Sequence, residues 1–122
     1  MSIVRRYLDA VAHHDWDTAR SYLSSDVVRV GPFGDTYRGR DEYLQALRPI
    51  MEGLEGYRME IASIAASDDG STVTAELSET VVMDERTIVT PECLVFDLDS
   101  AGLIAGIRIY IQQIEPPRTG SV

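Results

Sequence analysis

The chain has 122 residues, of which 44% are apolar and 25% are charged, and it carries a net charge of −9 and a single cysteine. This composition predicts one globular domain and excludes a disulfide scaffold, a zinc finger or an iron–sulfur site, while the acidic balance argues against a nucleic-acid partner. No apolar run reaches the roughly 20 residues that a membrane span requires, and the N-terminus lacks the apolar core of a signal peptide, so we expect a cytoplasmic protein without a membrane partner.

The first predicted element is a helix over residues 2–14, in which apolar side chains recur at three- and four-residue spacing. Ser2 is a suitable N-cap for this helix. Tyr7 lies within the apolar stripe, and two interpretations are open: an aromatic core residue, or a phenol that points into a cavity.

A second, short helix is predicted over residues 16–23, with Asp15 as its N-cap. The adjacent His13 and His14 mark the end of the first helix. Because neighbouring residues on a helix point apart, we interpret the two histidines as a solvated helix end rather than as a metal site.

The middle of the chain predicts a turn at residues 24–26, a short strand over residues 27–30 and a loop over residues 31–35. The glycines of this loop lack the spacing of a phosphate-binding motif, and the sequence implies no nucleotide, metal or other cofactor. A third helix is predicted over residues 40–52, with a kink or an early end at Pro49.

The remaining elements are strands, predicted over residues 57–66, 72–83, 86–98 and 103–114. This order predicts an α+β fold in which a curved antiparallel sheet wraps around three N-terminal helices and forms a cone with an internal pocket. We expect a single domain over residues 1–114 and a flexible C-terminal tail over residues 115–122.

The hairpin of the two central strands is the most informative feature, with Asp84-Glu85 as its two-residue turn. Its antiparallel register places two acids on one face: Glu79 lies opposite Thr90, and Glu92 lies opposite Leu77. The rest of this face is apolar, and a buried carboxylate is costly unless it is paired or placed in a cavity. A shift of one residue in either strand would move its acid to the other face, so the prediction depends on this register.

Several stretches resemble the nuclear transport factor 2-like superfamily, in its SnoaL-like and ketosteroid-isomerase-like branch. The stretches similar to its paired N-terminal helices and first strand are Val4-Arg5-Arg6-Tyr7-Leu8, Asp15-Trp16-Asp17-Thr18-Ala19 and Leu23-Ser24-Ser25-Asp26-Val27. Residues 32–42 are similar to its loop into the third helix, and residues 96–104 and 108–110 to its closing hairpin. The resemblance implies a pocket for a small apolar or amphipathic molecule, within a superfamily of isomerases, cyclases, epoxide hydrolases, dehydratases and binding domains.

Ketosteroid isomerases of this branch use a tyrosine on the first helix, an aspartate base on the first strand and an aspartic acid on a later strand. Tyr7 resembles that tyrosine. The base would fall near Gly31 and the second acid near Leu94 or Cys93, so the resemblance does not imply steroid isomerisation by that mechanism. The acid that many relatives carry after the final-strand tyrosine is replaced by Gln112.

We therefore place the candidate catalytic residues on the pocket wall. Glu92 or Glu79 would transfer a proton, and Tyr7 would donate to a developing oxyanion. The surrounding wall is expected to include Trp16, Phe33, Leu47, Leu77, Thr90, Leu94, Ile107, Ile109 and Ile111.

Two alternatives remain open. The first is a non-catalytic ligand-binding or dimerisation domain of the same fold, in which the outer sheet face, with Cys93 and Tyr110, forms a homodimer interface. In the second, Glu79 and Glu92 lie at the open end of the sheet, solvated or paired with arginine, and have no catalytic role.

Overall fold

Three helices and six strands form within residues 2–112, the part of the chain that the structure, a computed structural model, describes. The helices are α1 (Ile3–Ala12), α2 (Trp16–Ser21) and α3 (Arg40–Glu52). The strands are β1 (Leu23–Val30), β2 (Thr36–Arg38), β3 (Glu55–Ala66), β4 (Thr72–Met83), β5 (Arg86–Leu98) and β6 (Ile104–Ile111). The predicted tail over residues 115–122 and the predicted end of the final strand at residues 113–114 lie outside the described residues.

The six strands form one sheet in the order β2-β1-β6-β5-β4-β3, which confirms the predicted α+β architecture. The sheet is mixed rather than wholly antiparallel, because β1 and β6 run parallel while the other pairs are antiparallel. After α3 the chain enters the sheet at its far edge and returns through the meander β3–β4–β5–β6. Because β6 pairs antiparallel with β5, its direction is fixed by the meander, and β6 therefore runs parallel to β1.

The N-terminal helices have the predicted caps. The Ser2 side chain accepts a hydrogen bond from the Arg5 amide at 3.2 Å, and the Asp15 carboxylate accepts one from the Thr18 amide at 3.4 Å. Four residues of the predicted α1 stripe are buried, Val4, Tyr7, Leu8 and Val11, while the fifth, Ile3, is half-buried. Of the helices within residues 2–112, none has the length and apolar character that crossing a membrane requires.

The predicted boundary between α2 and the first strand is wrong. The helix ends at Ser21, and β1 begins at Leu23 rather than at residue 27. Leu23 is fully buried and pairs with Ile104 of β6, so burial and strand pairing draw it into the sheet. Residues 24–26, predicted as a turn, form an irregularity in β1 between the pairings of Leu23 and Val28.

Helix α3 has the predicted bounds and contains Pro49 within its last turn. The amide of Gly53 still donates to the Pro49 carbonyl at 3.1 Å, so the proline does not end the helix early. Two features were not predicted here: the short edge strand β2, and the start of β3 at Glu55 instead of residue 57.

The β4–β5 hairpin has the predicted register, with Val81 opposite Ile88 and Val73 opposite Phe96. Asp84 and Glu85 adopt φ values of 50° and 63°, the left-handed conformation that a two-residue hairpin turn of the primed type requires. At one end of the hairpin the helices cover the inner face, and Phe96 there is fully buried. At the other end, near the turn, Ile88 is only half-buried. This gradient gives the sheet a closed end and an open end.

Candidate active site

Two carboxyl groups share the inner face of the sheet, between its closed and open ends. Glu79 of β4 lies opposite Thr90, while Glu92 of β5 lies between Leu77 of β4 and Ile111 of β6. In this register the two glutamates are diagonal neighbours on adjacent strands, within reach of each other's side chains. Both side chains are half-buried, so neither is fully solvated.

Tyr57 of β3 extends this pair into a third strand. Its hydroxyl donates to Glu79 Oε2 at 2.5 Å, a short hydrogen bond of the kind expected between a phenol and a carboxylate. Burial and the neighbouring Glu79 carboxylate raise the pKa of Tyr57 well above its usual value. Tyr57 therefore stays protonated at physiological pH and remains a donor to Glu79.

Burial raises the pKa of Glu92 to about 9, and a hydrogen bond to Glu79 and the charge of Glu79 act in the same direction. The positive charge of Arg29 opposes this shift but does not cancel it. The raised pKa favours the protonated form of Glu92 at neutral pH. The site thus presents an acid and a base next to each other, as general acid–base chemistry requires.

Arg29 of β1 brings a positive charge to the inner face, opposite Ile107 in the sheet. Its Nη1 donates to Asp35 Oδ2 at 2.6 Å, and its Cζ lies 5.8 Å and 6.0 Å from the ring centroids of Tyr37 and Tyr43. A Cβ at position 31 would approach Arg29 Nη1 to 2.6 Å, so the glycine there makes room for the ion pair. This space is where the resemblance predicted a strand base.

Tyr7 forms a hydrogen bond with Tyr43, the other buried tyrosine of the helices. Its hydroxyl lies 2.7 Å from that of Tyr43 in α3, and its ring packs edge-on against Phe96 at 6.1 Å between centroids. Burial raises the pKa of both phenols, while the charge of Arg29 acts in the opposite direction. Both therefore remain neutral hydrogen-bonding groups at physiological pH.

The predicted wall residues differ in burial and in position. Leu77, Leu94 and Ile107 are buried in the core, and Leu47, Thr90 and Ile109 are half-buried. Ile111, opposite Glu92, is more exposed. Trp16 donates from Nε1 to Glu52 Oε1 at 3.2 Å between α2 and α3, and Phe33 is 88% exposed in the β1–β2 loop, so the structure does not bring these two into the carboxyl cluster.

Three members of the cluster were missed by the sequence reasoning. Tyr57 had a usable signal, because extending the β4 pairing pattern to β3 places it on the same face as Glu79. Tyr43 was recognised only as part of the apolar stripe of α3. Arg29 had no signal, since the apolar residues on either side of it favour an outward side chain.

The outer face of the same sheet carries a groove of about 470 Å³ that includes Cys93 and Tyr110. Tyr110 is 57% exposed, and Arg108 pairs with Asp97 beside it on this face. Glu92 is also among the residues that line this groove, together with Glu76 and Ser78 of β4.

Comparison with known proteins agrees with this architecture. The sequence profile of the SnoaL-like domain matches residues 4–107. An LEH-like epoxide hydrolase from M. tuberculosis is 27% identical, with a TM-score of 0.76 over 90% of this chain and 80% of that one. A candidate polyketide cyclase from Xanthomonas campestris pv. campestris is 28% identical, with a TM-score of 0.74 over 88% of this chain and 86% of that one.

The epoxide hydrolase/cyclase-like enzyme SalBIII, which acts in pyran ring formation in the polyether salinomycin, shares the fold at 18% identity, with a TM-score of 0.78 over 91% of this chain and 88% of that one. No curated protein sequence matches the chain. The family profile covers most of the chain, including both N-terminal helices and the hairpin that carries the glutamates. The chain belongs to the family of SnoaL-like domains.

Proposed function

We propose that this SnoaL-like protein is an acid–base enzyme acting on a small, mostly apolar substrate at the Glu79–Glu92 pair. One observation carries the proposal: on the inner face, Glu92 lies diagonally beside Glu79, which accepts a hydrogen bond from Tyr57, and burial raises the pKa of Glu92. Such a pair is costly to maintain on an apolar wall, and an acid–base role accounts for it.

Epoxide opening is the reaction that this pair fits best. Glu79 would take a proton from an attacking water while Glu92 gives its proton to the epoxide oxygen, as one C–O bond forms and another breaks. The product is a vicinal diol, and proton transfer from Glu79 to Glu92 through their own contact restores the starting state. The likeness to the mycobacterial epoxide hydrolase supports this choice of reaction. With an internal hydroxyl in place of water, the same step closes a ring.

Tyr7 is proposed to support the developing negative charge on the substrate oxygen. The Tyr7–Tyr43 pair contains two hydroxyl hydrogens, and their mutual hydrogen bond uses only one of them. The other hydrogen is available for donation to an oxyanion, and the pairing fixes the two rings in the core.

The test is hydrolysis of cyclohexene oxide and styrene oxide, followed by diol formation. We expect E92Q to remove turnover, because its amide cannot donate a proton in the required step, and E79Q to lose at least about 100-fold in kcat/KM. E76Q, on the outer face of β4, is the matched control and should retain full activity. Unchanged turnover in E92Q would eliminate Glu92 as the acid.

A second candidate role is homodimerisation through the outer sheet face, and we infer that a second copy of the chain covers it. Two exposed apolar side chains lie on this face, with Val89 44% and Tyr110 57% exposed. Light scattering after size-exclusion chromatography should give a dimer, and Tyr110→Glu should shift it to a monomer. Phe33→Glu, which changes an exposed aromatic residue away from the sheet, should leave the dimer intact. A monomeric wild-type protein would contradict the inference.

A further inference from the structure

Arg29 is a partly buried cation whose hydrogen-bonding capacity is only partly used. Its side chain is 14% exposed, and its Nε is buried without a hydrogen-bond partner among residues 2–112. Asp35 accepts from Nη1 alone, so the positive charge of the guanidinium is only partly paired and its accessible part can attract a further anion. We propose that Arg29 binds a carboxylate of the substrate, so that the enzyme acts on small molecules that carry a carboxylate at one end and the reacting group at the other.

The environment of Arg29 favours this role over a purely structural one. Asp35 occupies only Nη1, and the Asp35 side chain is 46% exposed, so water screens its charge far more than it screens the guanidinium. The guanidinium also makes cation–π contacts with the rings of Tyr37 and Tyr43. A rigid, partly paired arginine of this kind suits recognition of a planar carboxylate.

Charge also sets the orientation of the ligand. Glu79 lies on the inner face within the same cluster, and its carboxyl group already accepts a hydrogen bond from Tyr57. A carboxylate is repelled by Glu79 and attracted by Arg29, so the two ends of the site differ in sign. A substrate bound in this way would present its uncharged end to the Glu79–Glu92 pair.

The inference rests on the proposed function for its location but is tested by binding alone. Cyclohexanecarboxylate and cyclohexylmethanol have the same ring and differ in charge, and both can be titrated calorimetrically at neutral pH. We expect the wild-type protein to bind the carboxylate about tenfold more tightly than the alcohol. Equal affinities, or no binding of either compound, would overturn the proposal without the need for any variant.

Variants of Arg29 then assign the preference to this side chain. Arg29→Met should reduce carboxylate binding to the level of the alcohol while leaving alcohol binding unchanged. If that variant does not fold, Arg29→Lys keeps the charge but loses the planar donor set, and should lower the preference for the carboxylate. A preference that survives undiminished in the folded variant rules out Arg29 as its source.

E92Q separates this inference from the proposed function. Its amide removes the proposed acid but leaves the guanidinium in place, so the carboxylate preference should persist in E92Q. Retained turnover in E92Q would therefore refute the acid–base mechanism alone, and a lost preference in Arg29→Met would still support carboxylate binding.

Discussion

Glu92 shows how a single residue can take its chemistry from its position. On the surface its carboxyl would be ionised, but on the inner face of β5 it is half-buried beside the Glu79 carboxylate, and its pKa rises to about 9. Glu79 has the same functional group but is held by the Tyr57 hydroxyl at 2.5 Å. In the proposed mechanism these two environments are what distinguish Glu92 as the acid from Glu79 as the base.

This shift predicts a pH-dependent stability. The pKa of Glu92 is raised on folding, so its contribution to stability is fully present below about pH 4.5 and is lost as the pH rises to about 9. Between these limits, about 1.4 kcal/mol per pH unit is the most by which the free energy of unfolding can fall. The expected decrease is smaller, because Glu92 is only half-buried and solvent screens its charge.

Urea unfolding of the wild type and of E92Q at several pH values in this range measures the effect. The amide does not titrate, so the stability of E92Q should fall less steeply than that of the wild type as the pH rises. Parallel curves for the two proteins would mean that Glu92 is not protonated in the folded state.

At the scale of elements, the β4–β5 hairpin determines the geometry of the candidate site. Its two-residue turn keeps Glu79 and Glu92 on one face, and a change in turn length would shift the register and separate them. The turn itself is strained, because Asp84 and Glu85 both adopt positive φ values that favour asparagine and glycine.

Replacing Asp84-Glu85 by Asn-Gly should therefore stabilise the protein by about 0.5–1 kcal/mol, since relief of strain exceeds the entropy that glycine adds to the unfolded chain. Thermal unfolding measures the change as a higher Tm. Asp68→Gly is the control. Asp68 lies in a turn but does not have a positive φ, so this substitution should not stabilise the protein. A lower Tm for the Asn-Gly variant would contradict the assigned turn type.

At the scale of the whole molecule, the sheet and the helices meet at Phe96. This side chain is fully buried in β5 and packs against Tyr7 of α1, and its neighbours across the sheet are Val73 and Ile107. The closed end of the cone depends on this contact, and the Tyr7–Tyr43 pair is positioned by it.

Phe96→Ala should cost about 3–5 kcal/mol of unfolding free energy, because it removes buried apolar surface and leaves a cavity between sheet and helices. This is a large share of the stability of a typical domain. Val89→Ala on the same strand is exposed and should change stability by less than about 1 kcal/mol. Denaturant titration compares the two, and similar losses would show that Phe96 does not anchor the core.

Much of the fold was predictable from local patterns. The bounds of α3, the caps of α1 and α2, and the register of the β4–β5 hairpin all follow from residues close in sequence: apolar spacing, side chains that accept amide hydrogen bonds, and a two-residue turn. From this register the sequence also predicted that Glu79 and Glu92 share an apolar face, because side chains alternate strictly along a strand.

The tertiary structure decided what depends on distant partners. Leu23 joins β1 because Ile104 of β6 pairs with it, and the parallel direction of β1 and β6 results from the path of the whole meander. The inward position of Arg29 and its contacts with Asp35, Tyr37 and Tyr43 combine three separate elements and a loop. The sequence by itself thus determined which carboxyl groups face inward, while packing determined their protonation and the cation near them, because burial and charge depend on the groups that folding brings together.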